Sequence, residues 1–381
     1  MFLLYDTPAS RLSLRPLSLT RPLAHLRSGI FTLAEKWACF FGETPGILSE
    51  DIFQLAIGQP GPFYCVDASV WPTEKLATAI MNLQPGECLK DDVGLLAYFA
   101  IECPIFGHKS KSFSATVFIE NQDRIDHIIQ LIAKNAREII QDYSTMTKGR
   151  LSASPSSTNT LIGSDLFIEE GVTMEACVLN TKEGPIYIGR NAYIMEGTCI
   201  RGPVSIGKQA VVKMGATLYG GTTIGPACIV GGEVKNSVLL GYSNKAHGGY
   251  LGDSYLGEWC NLGAGTSNSN LKNTAGEVKV WNYATNQPMP AGNKCGVIMG
   301  DYCRTAINTS LSTGTTVGIC SSLHDAGLSA TLIPSFQWGK SDRYRLEAAL
   351  QDIHRWKQLK KHSLSEMEKQ LLTQLYGQEG I

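Results

Sequence analysis

Residues 188–230 read IGRNAYIMEGTCIRGPVSIGKQAVVKMGATLYGGTTIGPACIV, and in them a branched or long aliphatic residue returns at every sixth position: Ile188, Ile194, Ile200, Ile206, Val212, Leu218, Ile224 and Val230. Neither a helix nor an ordinary strand repeats every six residues. A short strand followed by a corner does, so three hexads close one triangular coil, and coils stack about 4.8 Å apart through backbone hydrogen bonds. The aliphatic residues then point inward as a ladder. Gly189, Gly207 and Gly225 follow ladder residues at the corners, where a side chain has little room. The period therefore predicts an all-β parallel β-helix, of the left-handed kind that departs from the right-handed crossover rule.

The same phase runs upstream through Ile162, Ile168 and Met174, with two extra residues near 181–185. Downstream it breaks after Val230, resumes at Leu256 and Leu262, breaks again over 268–294, and returns as Met299, Thr305, Leu311, Val317 and Leu323. A strict scaffold that admits polar, Gly-rich stretches at only two places marks them as a candidate site.

Around this core the chain divides into four parts. Residues 1–145 lack the six-residue period and predict an α/β domain, with a strand at 2–5, a helix over 72–83 and a stronger one over 123–141. The last is marked by Ile125, Ile128, Ile129, Ile132, Ile139 and Ile140 on one face. Residues 146–160, rich in Ser, Thr and Pro, read as a linker, and 161–334 as the β-helix. In the tail, 335–381, Leu346, Leu350, Ile353, Trp356 and Leu359 predict an amphipathic C-terminal helix. Prisms of this type commonly associate about a threefold axis, so a homotrimer is expected.

Composition narrows the function. Lys and Arg number 33 against 34 Asp and Glu, a balance that points away from nucleic acid or an anionic membrane surface as partner. The chain lacks a run of about eighteen apolar residues, and Asp6 and Arg11 interrupt its N-terminus, so neither a membrane span nor a signal peptide is expected. Eleven cysteines are scattered without a C-x-x-C pair, which suits a reducing cytoplasm.

The first break reads GGEVKNSVLLGYSNKAHGGYLGD from Gly231 to Asp253, and the second reads SNSNLKNTAGEVKVW from Ser267 to Trp281. Glu233–Ser237 (EVKNS), Lys245–Gly252 (KAHGGYLG), Asn261–Thr266 (NLGAGT) and Val278–Val280 (VKV) resemble, in order, the acetyltransferase half of the GlmU family, most closely its archaeal and alternative bacterial branches. Those proteins are bifunctional glucosamine-1-phosphate acetyltransferases and N-acetylglucosamine-1-phosphate uridylyltransferases. The resemblance implies His247 as the general base that frees a sugar amine to attack acetyl-CoA, work suited to an imidazole. It also implies sugar-phosphate contacts from Lys235, Lys245, Tyr250, Asn268, Asn270 and Lys279. Arg304 and Asn308 would line the CoA channel.

Arg11–Leu26, RLSLRPLSLTRPLAHL, resembles the start of sugar-phosphate nucleotidyltransferases, in which a Gly-rich loop cradles the triphosphate and a lysine neutralises it. The chain departs from that pattern twice. Asp6–Ser10 contains no glycine and includes Pro8, which lacks an N–H, and Leu23 stands where the lysine would follow Arg21-Pro22. Arg11, Arg15 and Arg21 remain phosphate candidates, and Mg²⁺ is implied only if this truncated nucleotidyltransferase-like domain is active. Val70–Thr73 and Ile333–Gly339 also resemble the alternative bacterial branch.

The expected function is acetyl-CoA-dependent N-acetylation of an amino-sugar phosphate in cell-envelope precursor synthesis. A non-catalytic sugar-nucleotide-binding scaffold is one alternative. A γ-carbonic-anhydrase-like metal lyase is another, but it requires three His per zinc, and the helical part offers only His247 and His324. No metal site is expected.

Overall fold

The structure is a computed structural model in which residues 1–50, 61–102, 104 and 113–378 are described. Two compact units emerge. One comprises Met1–Leu14, Arg21–Arg27 and Phe31–His127, and the other Arg15–Thr20, Ser28–Ile30 and Ile128–Ile381.

The first unit is an α/β domain. Its sheet runs Gly46–Leu48, Phe2–Tyr5, Phe63–Asp67, Leu95–Ala100, Glu87–Lys90, Ala115–Phe118. Phe2–Tyr5 lies parallel to both neighbours and is buried throughout, as its unbroken apolar run requires. Thr73 caps the helix expected near 72–83, which spans Glu74–Met81. Where a nucleotidyltransferase carries its Gly-rich loop, this chain makes the short helix Pro8–Ser13, with a Thr7/Ser10 capping box.

The second unit is a three-sided parallel β-solenoid. Its first face begins with six strands, from Thr160–Ile162 to Tyr250–Gly252, and continues as Ser267–Asn268 and Ser310–Leu311. The second face has nine strands, from Leu166–Ile168 to Leu332–Ile333, and the third has ten, from Thr173–Met174 to Asp342–Arg343. Apart from the last strand, Asp342–Arg343, which lies antiparallel to Gln337–Trp338, the strands pair in parallel with a counterpart on a neighbouring coil, as in Ile188↔Ile206↔Ile224 and Ile194↔Val212↔Val230. All eight residues of the quoted ladder belong to one buried apolar core. In the first coil the expected rung is one residue off: Leu161, not Ile162, faces Leu179.

Corners carry the conformational cost. Between the second and third faces, Asn191, Gln209, Ala227, Tyr242, Trp259, Tyr302, Cys320 and Phe336 all adopt φ between 54° and 65°, a left-handed conformation that non-glycine residues seldom take. Stacking of successive coils holds them there. The rings of Tyr242 and Trp259 lie 4.3 Å apart and parallel, which offsets part of the strain. A β-carbon on Gly207 would come within 2.7 Å of the backbone nitrogen of Pro226, so the next coil leaves no space for a side chain there.

Helices cover two of the three faces. The long helix expected over 123–141 spans Ile128–Thr147 and belongs to the solenoid unit. Asn135 Nδ2 donates to the Gly221 carbonyl at 2.7 Å, and Ile30, Tyr143 and Met146 cover Phe167 and Tyr187 of the second face. The stretch read as a linker is docked on the first coil, the Ala153 N–H donating to the Ile168 carbonyl at 2.8 Å. The C-terminal segment makes two helices, Leu346–Gln358 and Glu366–Tyr376, rather than one. Lys360 Nζ clamps them to the solenoid through the carbonyls of Ala227, at 2.6 Å, and Tyr242, at 3.0 Å.

Candidate functional site

The first interruption of the period is not an excursion. Val234, Leu239, Lys245, Leu251 and Leu256 continue the rungs opposite Leu218, Ile224, Val230, Val234 and Leu239. Shortened corners and a lysine in a rung position hide the continuity from a strict count of six. The second interruption does leave the coil: the chain departs after Asn270, makes the hairpin Lys279–Asn282 with Gln287–Pro290, and rejoins where the Cys295 N–H donates to the Asn270 carbonyl at 2.9 Å.

This arrangement gathers several of the predicted residues on the first face and its borders. Val234 and Leu251 point inward, so Lys235 and Tyr250 point outward on neighbouring strands, Lys235 paired with Gly252. Tyr250 folds back across Gly252, and its hydroxyl occupies the space where a β-carbon on Gly252 would sit. Asn270, the last residue before the excursion, donates from Nδ2 to the Tyr250 hydroxyl at 3.0 Å and to the Asp253 carboxylate. Burial and the nearby Asp253 charge push the Tyr250 phenol up to about 12, so it is a proton donor at neutral pH. His247 lies three residues before Tyr250, exposed at the corner that leads into this face. The backbone there is built on glycine: Gly232, Gly249 and Gly265 have φ of 68°, 114° and 74° in successive coils.

Two residues assigned to substrate face the other way. Lys245 occupies a rung and is 1% exposed, its Nζ donating to the carbonyls of His247 at 2.7 Å and Gly231 at 3.1 Å. It braces the His247 corner from within rather than meeting a ligand. Asn268 is 4% exposed and bonds both the N–H and the carbonyl of Gly252, at 2.8 and 3.0 Å. Both were legible as polar, but their inward direction depends on a coil register that the interruption concealed.

Burial lowers Lys245 to about 8 from the ordinary 10.5. Below pH 8 the residue is protonated in the folded and unfolded chain alike; between about 8 and 10.5 only the unfolded chain holds the proton, so the group adds stability as pH rises through that window. Lys245→Met is expected to flatten this rise, measured as unfolding free energy against pH, and to slow turnover because the His247 carbonyl loses its donor. An unchanged pH profile would remove the account of Lys245.

The remaining candidates are dispersed. Lys279 is exposed on the hairpin, between the buried Val278 and Val280. Arg304 is on the third face, its guanidinium 5.3 Å from the Trp356 ring of the C-terminal helix and bonded to the Tyr302 carbonyl at 3.2 Å. Asn308 continues the glycine corner with φ of 57°, stacked over Gly265. In the first unit Arg11 is buried and bonded to Asp6 at 2.9 Å, Glu50 at 3.0 Å and Ser49 at 3.2 Å, which engages the side chain that phosphate would need. Arg21 is also buried. Sequence reasoning missed Asp253 and Asn236. The available signal was an acidic residue after Gly252, at the corner where the preceding coils place Gly221 and Asn236 with positive φ.

Residues 2–151 match the family model described as sugar nucleotidyl transferase. The chain is 38% identical over 86 residues to a protein named bifunctional protein GlmU from Methanocaldococcus jannaschii. That match covers 23% of this chain and 21% of the archaeal one. At the same identity and coverage the chain matches a bifunctional sugar-1-phosphate nucleotidylyltransferase/acetyltransferase of Sulfurisphaera tokodaii. The matched stretch is thus about a fifth of these relatives' length. Among solved structures, an Arabidopsis UDP-N-acetylglucosamine acyltransferase overlaps 57% of this chain and 88% of its own, at 10% identity and a TM-score of 0.27, too low to carry an argument. Among the described residues no helix is long and apolar enough to cross a membrane, and no group of three or more His, Cys, Asp or Glu is gathered for a metal ion.

Proposed function

We propose that the chain is an acetyl-CoA-dependent N-acetyltransferase acting on an amino-sugar phosphate, with glucosamine-1-phosphate the acceptor that best suits its site. One observation carries this reading: an exposed imidazole at the corner of a prism face whose outward side chains are Lys235, Tyr250 and Asn270. Lys235 supplies a compact cation for a phosphate, and Tyr250 and Asn270 supply hydrogen bonds for sugar oxygens. His247 accepts a proton from the acceptor's ammonium, the nitrogen lone pair attacks the thioester carbon, a C–N bond forms and the C–S bond breaks. That proton passes to the departing thiolate, and the nitrogen's second proton leaves to water as the amide forms. The relatives' names, GlmU and nucleotidylyltransferase/acetyltransferase, agree with this chemistry.

The first face lacks the helices that cover the second and third among the described residues, and it is the surface we propose to meet neighbouring copies in a homotrimer. The ten described cysteines are all free thiols, in keeping with a cytoplasmic setting. Uridylyl transfer is not part of the proposal. Thr7 and Ser10 spend their N–H groups on each other's side chains, Pro8 has none to offer, and Arg11 is engaged by carboxylates, so these groups are already occupied within the protein.

The test is thiol release from acetyl-CoA with a panel of amino-sugar phosphates. Release with glucosamine-1-phosphate is expected, as is no pyrophosphate from UTP, Mg²⁺ and N-acetylglucosamine-1-phosphate. Sugar-phosphate binding without thiol release on any acceptor would favour the scaffold reading instead.

A further inference from the structure

We propose that Asp253 sets the hydrogen-bond polarity of the ligand-binding face, holding Asn270 with its carbonyl oxygen toward the ligand and Tyr250 with its hydroxyl proton toward the ligand. The inference deepens the acetyltransferase reading and rests on it for the identity of the ligand, though not for the hydrogen bonds themselves.

Asp253 sits at the corner between the first and second faces with φ of 49°, 8% exposed. Its Oδ1 accepts from Asn236 Nδ2 of the coil before at 2.6 Å, and its Oδ2 accepts from Asn270 Nδ2 of the coil after. A carboxylate has no proton to give. The asparagine ends that face it must therefore be the nitrogens, which decides an orientation an isolated amide leaves open. The two protons of Asn270 Nδ2 are then committed, one to Asp253 and one to the Tyr250 oxygen 3.0 Å away. Tyr250 accepts that bond, so its own proton turns elsewhere, and Asn270 Oδ1 is left as an acceptor.

A ligand matched to this face carries oxygen acceptors, such as phosphate oxygens, opposite Tyr250, where Lys235 stands on the adjoining strand. Opposite Asn270 it carries a donor, a hydroxyl or an ammonium. An apolar or purely anionic group at that second position leaves the amide oxygen unpaired. Asp253 touches no ligand in this scheme; it is a positioning residue and a determinant of specificity.

The decisive variant is Asp253→Asn. Asparagine tolerates the left-handed corner as aspartate does, and it keeps one acceptor oxygen where aspartate has two, so Asn236 and Asn270 can no longer both donate to it and Asn270 loses its fixed orientation. Titration calorimetry of the full chain with glucosamine-1-phosphate is expected to show the dissociation constant rising roughly tenfold. In an Asn270→Ala background the same change should shift it less than about twofold, because the two residues act as one unit. A purely structural role for Asp253 would weaken binding equally in both backgrounds, and that result overturns the proposal. Independently of any ligand, the Asn270 side-chain amide resonances, assigned by their loss in Asn270→Ala, should move in Asp253→Asn. Unmoved resonances overturn it as well. Should the wild type bind no amino-sugar phosphate, the acceptor proposed above is wrong, and the resonances still decide the role of Asp253.

Discussion

Replacing His247 with alanine is expected to lower acetyl transfer by about 10²–10⁴-fold, the range that a positioned general base contributes, while leaving the fold intact. An amine presented to the enzyme at neutral pH is an ammonium, and its lone pair is unavailable until a base takes the proton. The His247 ring is exposed and forms no rung of the core. What the corner uses of His247 is its backbone carbonyl, held by Lys245 Nζ at 2.7 Å, and alanine keeps that carbonyl. The loss should therefore fall on kcat, with little change in the acceptor's KM or in the thermal midpoint. Thiol release followed for both proteins measures this, and a variant with wild-type kcat would end the proposed mechanism.

Truncation of the ladder gives the largest expected stability effect. Ile206 is fully buried between Ile188 of the coil before and Ile224 of the coil after. Neighbouring coils are locked by backbone hydrogen bonds and cannot close over a missing side chain. Ile206→Ala is thus expected to cost about 2–5 kcal/mol, and Ile206→Val about 0.5–1.5 kcal/mol. Ile307, 69% exposed at a corner, is the matched control, and Ile307→Ala should stay within about 0.5 kcal/mol of the wild type. Urea unfolding of the three variants makes the comparison. Equal costs at positions 206 and 307 would mean that the apolar column does not hold the solenoid together.

Much of the fold could be read from residues alone because the hexad period has one structural solution. Ile188 to Val230 lie in the core as their spacing requires, and the strand at Phe2–Tyr5 and the helix at Glu74–Met81 appear where apolar runs and caps placed them. The helix at Ile128–Thr147 was legible as a helix but not as a cover for the solenoid, since an apolar stripe does not say what it packs against. Lys245 shows the limit most clearly. A lysine in a polar, Gly-rich stretch reads as a surface cation, and only the pairing of its strand beside Val230 turns it inward.

By itself, the sequence determined the three-sided coil, the corner glycines and the two stretches in which chemistry was to be sought, because period and corner sterics are local properties. The tertiary structure alone decided which polar residues face out. Shortened corners move side chains between faces without leaving a trace in composition, and Tyr250, Asp253 and Asn270 meet only because successive coils stack in register.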